Sequence, residues 1–193
     1  TVSHMMDNPL LKLTGLPRFS EIKPHHVEPA LDALLAENRG QIKALETASN
    51  QASWNDFAAP LVHIEERLDR LWATVSHLNA VCDSEDLRQV YESALEKWTT
   101  YQTEVSQNRD LFAGFKRIQE SGELDRLDFS KQKTVGNAIR DFRLGGVELE
   151  EDARQRFADI ATELAALSNR FEQNLLDATD GWHLDLTEEV DLE

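Results

Sequence analysis

The sequence predicts an all-α fold: an antiparallel, bundle-like domain of about six helices with an extended Pro-rich N-terminal arm and a short C-terminal strand. Three observations predict it. Apolar residues recur at steps of three and four over most of the chain, the spacing that lines one face of a helix. Glycine and proline are scarce, at 8 and 5 of 193 residues, and four of those prolines (Pro9, Pro17, Pro24, Pro29) crowd one stretch near the N-terminus. The links between periodic stretches are short, which makes consecutive helices antiparallel neighbours.

The four prolines fix the backbone from about residue 8 to 29 in an extended, meandering arm. Ahead of it, "SHM" reads as a cloning scar before a start near Met6, so residues 1–5 are set aside and 6–193 are expected to form one helical domain. A first helix over 28–46 follows from Ala30, Leu31, Leu34, Leu35, Ile42 and Leu45 on one stripe, with Pro29 tolerated in the first turn. A second, over 53–82, carries Phe57, Leu61, Ile64, Leu68, Leu71, Val75, Leu78 and Cys82. Ser53 is its N-cap and Pro60 a kink or restart. The third, Ser84 to Gln107, aligns Leu87, Tyr91, Ala94, Trp98, Tyr101 and Val105.

Two shorter helices are expected at 109–120, closed by Gly122, and at 130–143, where Gly145 and Gly146 supply a left-handed stop. The last helix, 150–179, puts Phe157, Ile160, Leu164, Leu167, Phe171, Leu175 and Ala178 on one face. Beyond it, Trp182, Leu184 and Leu186 alternate with His183, Asp185 and Thr187, the period of a half-wet strand. A lone strand is not stable, so the chain reads as cut from a longer one. An uncovered apolar face is then expected along the second helix or the terminal strand, with a tendency to self-associate.

The net charge of −16 repels a phosphate backbone or an anionic membrane and excludes nucleic-acid binding as the first reading. No run of 18 or more apolar residues is present to span a bilayer. Cys82 is the single cysteine, so neither an intrachain disulfide nor a Cys-based zinc cluster can form. With no apolar or Arg-rich leader, the cytoplasm is the expected compartment.

Candidate chemistry is sparse. "VHIEERL" (62–68) approaches the H-E-x-x-H zinc signature but fails twice: Ile64 follows His63, and Arg67 stands where the second His belongs. His63 lies off its apolar stripe and reads as a solvent-facing residue. His25 and His26, with Glu28, point apart on a chain entering a helix and find no second converging pair. His77 and Asn79 flank a buried stripe, where a satisfied core histidine is the ordinary case. Cys82 has no His partner in sequence, and Gly145-Gly146 matches no phosphate-binding loop. Trp54, Trp72, Trp98 and Trp182 fit core packing. Glu148, Glu150, Glu151 and Asp152 cluster where the last helix begins, complementing its dipole. No catalytic, substrate-binding or metal-ligating residue is assigned, and no cofactor is expected in this chain.

Read together, "NPLL" (8–11), "LPRFSEIKPHHVEPAL" (16–31), "VSHLNAV" (75–81), "AIRDFRLGGVEL" (138–149) and "LSNRFEQNLLDATDGW" (167–182) run in order across nearly the whole chain. The set resembles the N-terminal region of the bacterial oligopeptidase A group within the thimet-oligopeptidase-like zinc metallopeptidase family. The resemblance implies a cytoplasmic enzyme that cleaves short peptides in a deep channel between two mostly helical halves. The family's zinc ligands, an H-E-x-x-H helix plus a further Glu, lie downstream of the matched region. The chain would then supply one channel wall, be inactive alone, and take the missing catalytic half as partner, with zinc and oligopeptide substrates belonging to the full-length parent. Gly145 stands where family members often carry Ser. The competing reading is an autonomous acidic helical interaction module.

Overall fold

The computed structural model describes residues 8–12 and 14–184. Its α-helices are α1 (Val27–Ala48), α2 (Ala59–Val81), α3 (Glu85–Ser106), α4 (Arg109–Glu120), α5 (Phe129–Leu144) and α6 (Glu151–Asp180). Every helix expected from the periodicity is present, within a few residues at each end. The fold is all-α, and no strand occurs among the described residues.

The arm is built from short 3-10 turns at Pro9–Leu11, Phe19–Glu21 and Pro24–His26. It is pinned to the bundle where Asn8 Nδ2 donates to the carbonyl of His26 at 2.8 Å. Ser53 caps the next segment as expected, accepting the Asp56 amide. The turn that follows, Trp54–Ala58, is a single π-helical one before α2 proper. Pro60 therefore falls in the first turn of α2, where its missing N–H has no intrahelical acceptor to lose. It restarts the helix there.

Three side-chain N-caps fix the later boundaries: Ser84 accepts from Leu87, Asn108 from Asp110 and Leu111, and Asp128 from Lys131. Each satisfies amides that the first turn of a helix leaves without partners. The C-terminal stop of α5 falls to Gly146, whose φ of 90° is the left-handed value that glycine adopts without a Cβ clash. Gly145 keeps a helical φ of −75°. Its constraint is space, since a Cβ would come within 2.5 Å of the Ser106 Cβ.

The core runs between α1, α2 and α3, with α4 and α5 closing one end. Val27, Leu31, Leu34, Leu68, Leu71, Val75 and Tyr101 are fully buried there, and Phe57, Leu111, Phe115, Ile118 and Val135 fill the closed end. Fully burying a side chain of this size contributes about 1.5–3 kcal/mol against leaving it in water. Gly114 lets α4 approach: a Cβ there would lie 2.2 Å from the Phe57 ring, which also meets Phe115 edge-on at 5.6 Å.

Two expectations are corrected. The face of α2 is buried along its length apart from Val62 and Val81 at its edges, so it is not the uncovered surface. The expected strand is not formed over Trp182–Leu184, and the rest of it, from Asp185 on, lies outside the described residues. A period of two in three residues just past a helix end is too short to outweigh the absence of a pairing edge.

Candidate functional site

The long helix α6 has its faces reversed. A helix advances about 100° per residue, so positions 158, 162, 165, 169 and 173 share one side. Ile160, Leu164, Leu167, Phe171 and Leu175 share the other. The first side meets α3: Thr162, Ala165 and Asn169 border a cleft of about 480 Å³ with Gln89, Glu92 and Ser93, and Gln173 donates to Glu92 at 3.2 Å. Arg88 holds Asp177 at 2.7 Å near one end of this seam. Near the other, Gln107 donates to the Arg154 carbonyl at 3.2 Å.

The packed face is thus made of small and polar groups, while the large apolar side chains face outward. Leu164 is 61% exposed and Phe171 68%, and Ile160, Leu167 and Leu175 are comparable. Asn169 is the sole buried residue of α6, and no described residue donates to its Oδ1. A soluble helix ordinarily turns its apolar stripe inward. A stripe this long on the outside is an exposed apolar surface of the kind that interaction sites present.

A second surface lies at the closed end of the bundle. A cleft of about 510 Å³ has Leu61, Val105, Phe115 and Phe142 among its walls and Glu65, Glu66, Asp69 and Asp141 around it. Glu65 accepts the Tyr101 hydroxyl proton at 2.7 Å, and Asn38 donates to both Tyr101 Oη and the Ile64 carbonyl at 3.3 Å. Burial pushes the Glu65 carboxyl above the usual range, opposed by the Tyr101 hydrogen bond and reinforced by Asp69. Burial also raises Asp69. Tyr101 is driven up by its own burial and by the charge of Glu65. The signal for this network was Asn38, a polar residue on the apolar stripe of α1.

The histidines do not converge. His63 is exposed, with only Glu66 near it, 3.8 Å away. The His25 and His26 rings are 4.2 Å apart, and His26 Nδ1 accepts the Lys23 amide at 3.0 Å. Burial, then the neighbouring His25 and Lys23, lowers the His26 pKa. His77 is exposed beside Phe19, at 5.5 Å and edge-on, and so is not a core histidine. Cys82 is exposed just past the end of α2. Among the described residues, no three His, Cys, Asp or Glu come together in a way that could hold a metal ion, and no helix is long and apolar enough to cross a membrane.

Trp54, Trp72 and Trp98 pack against the core as expected. Trp182 does not, being 71% exposed. It follows the end of α6, where the described chain offers nothing for the indole to rest on. Of the acidic cluster at the start of α6, Glu148 meets Arg143 at 3.4 Å and Glu151 pairs with Arg154.

The sequence pattern of the neurolysin/thimet oligopeptidase N-terminal domain matches residues 31–154. The chain is 37% identical to oligopeptidase A of Haemophilus influenzae over 97% of its own length and 27% of that protein's. It is 36% identical to oligopeptidase A of Escherichia coli over 97% of its length and 28% of the relative's. A dipeptidyl carboxypeptidase of Salmonella typhimurium is 28% identical over 91% of this chain and 26% of that protein. The chain therefore spans about a quarter of the length of the curated relatives it matches. By its N-terminal domain, this chain belongs to the neurolysin/thimet oligopeptidase family.

Proposed function

We propose that residues 6–193 are the N-terminal helical domain of a zinc metallo-oligopeptidase that degrades short peptides in the cytoplasm, and that this domain is one wall of its substrate channel. The observation that supports this most directly is the span. Nearly all of this chain corresponds to about a quarter of each oligopeptidase A relative, at 36–37% identity. The histidines and carboxylates described above do not fit a zinc site, so the metal's ligands are assigned to sequence beyond this chain. A wall needs shape and rigidity more than titratable groups, which suits a domain whose titratable side chains do not converge on one point.

On this reading the outward stripe of α6 is where the rest of the polypeptide docks. The test compares the 193-residue chain with the product of its uninterrupted reading frame on fluorogenic oligopeptides. The chain alone gives no turnover with or without added zinc, and the extended product gives turnover that a chelator abolishes. Chelator-sensitive cleavage by the 193-residue chain itself would overturn the proposal.

A further inference from the structure

The exposed face of α6 carries a second pattern, in the residues beside its apolar seam. Phe157, Ile160, Leu164, Leu167, Phe171, Asn174 and Ala178 follow alternating steps of three and four, the geometry of a two-helix seam. The residue just before every second seam position is Arg156, Glu163, Arg170 and Asp177 in turn. The signs alternate plus, minus, plus, minus. Read against a second copy running the other way, that order is complementary throughout. Arg156 meets the other copy's Asp177 and Glu163 meets its Arg170.

The apolar layers agree with the same alignment. It places Leu164 against Leu167, Ile160 against Phe171, and Phe157 against Asn174 of the other copy. Its two-fold axis falls between Ala165 and Ala166, the midpoint of Glu151–Asp180, so the two helices overlap along their full 30 residues. Parallel pairing fails, because the opposite flank carries Ala161, Ser168 and Leu175 and offers the charges no partners. Glu163 and Arg170 make no ion pair among the described residues, and Asp177 has only Arg88.

We infer that the 193-residue chain forms a two-fold dimer through antiparallel α6–α6 pairing in this register. The inference does not depend on the channel reading. A full-length polypeptide that covers the same face would compete with the dimer. Opposing it is the charge of −16 on each copy, which salt screens at distances beyond about 10 Å at 0.1 M, leaving the close pairs in place.

Sedimentation equilibrium on the intact chain tests it. The wild type sediments as a concentration-dependent dimer. Glu163→Arg turns two attractive contacts per dimer repulsive and weakens association roughly tenfold. Glu163→Arg with Arg170→Glu restores it to within about threefold, a recovery that general loss of structure could not produce. Leu164→Lys abolishes the dimer while far-ultraviolet dichroism stays unchanged, since the side chain is mostly exposed within its own copy. A wild type that stays monomeric at about 0.5 mM would overturn the inference. So would association indifferent to Leu164→Lys, or a charge reversal that the double swap fails to rescue.

Discussion

Single atoms decide more in this domain than its loose surface suggests. The missing Cβ of Gly114 is the space occupied by the Phe57 ring. Gly114→Ala should therefore cost about 1–3 kcal/mol by overpacking. In urea unfolding, Phe57→Leu in the same chain should make the two losses less than additive. Strict additivity would mean that the ring moves aside freely. Glu65 gives a pH test. Its folded-state pKa lies above the unfolded value of about 4.3 because of burial. The folded state then holds its proton more tightly than the unfolded one. The contribution of Glu65 is complete below the unfolded pKa and is lost as pH rises through the folded one. Glu65→Gln, which still accepts from Tyr101, should be more stable than wild type at pH 7 and lose that advantage toward pH 4. A difference that is flat with pH would remove the burial argument. The sequence carried a signal in Asn38, a polar residue on an apolar stripe that the reading passed over, but none for its partners Tyr101 and Ile64. They come from other helices, and one-dimensional periodicity says nothing about which helices meet.

At the scale of elements, two equally regular apolar stripes have opposite fates. Leu68 in α2 is fully buried, whereas Leu164 in α6 is mostly exposed. Leu68→Ala should destabilise by about 2–5 kcal/mol. Leu164→Ala, measured below the concentration at which copies associate, should change stability by less than about 0.5 kcal/mol. Equal losses in thermal unfolding would mean that α6 is packed inward after all. Beneath it, Asn169→Leu should leave stability unchanged or raise it by about 1 kcal/mol, because it replaces a buried acceptor with no donor by an apolar group beside a roomy cleft. The helices, the Ser53 cap and the restart at Pro60 could be read from sequence, since capping and periodicity are local, whereas the caps at Asn108 and Asp128 were passed over. The direction in which α6 faces could not be read. Periodicity finds an apolar stripe without revealing whether its partner belongs to the same stretch of chain, and here the neighbour α3 takes the small-residue face.

For the whole molecule, charge opposes compaction. With 36 acidic against 20 basic side chains, self-repulsion weakens the folded state most where salt is dilute. Raising NaCl from about 10 to about 150 mM should raise the midpoint of thermal unfolding. A fall would show that the surface ion pairs outweigh the net repulsion. The fold class was legible because an all-α domain is the sum of local signals. The acidic cleft was not legible, because it is assembled from side chains of four helices. One arrangement carries a consequence of another kind. The indoles of Trp72 on α2 and Trp98 on α3 lie almost parallel, 5.0 Å apart, with Tyr91 5.3 Å from Trp72. Chromophores stacked so closely share their electronic excitation, so the near-ultraviolet dichroism of this chain should be dominated by one chirally coupled pair. That band makes the docking of two helices visible to light without a label.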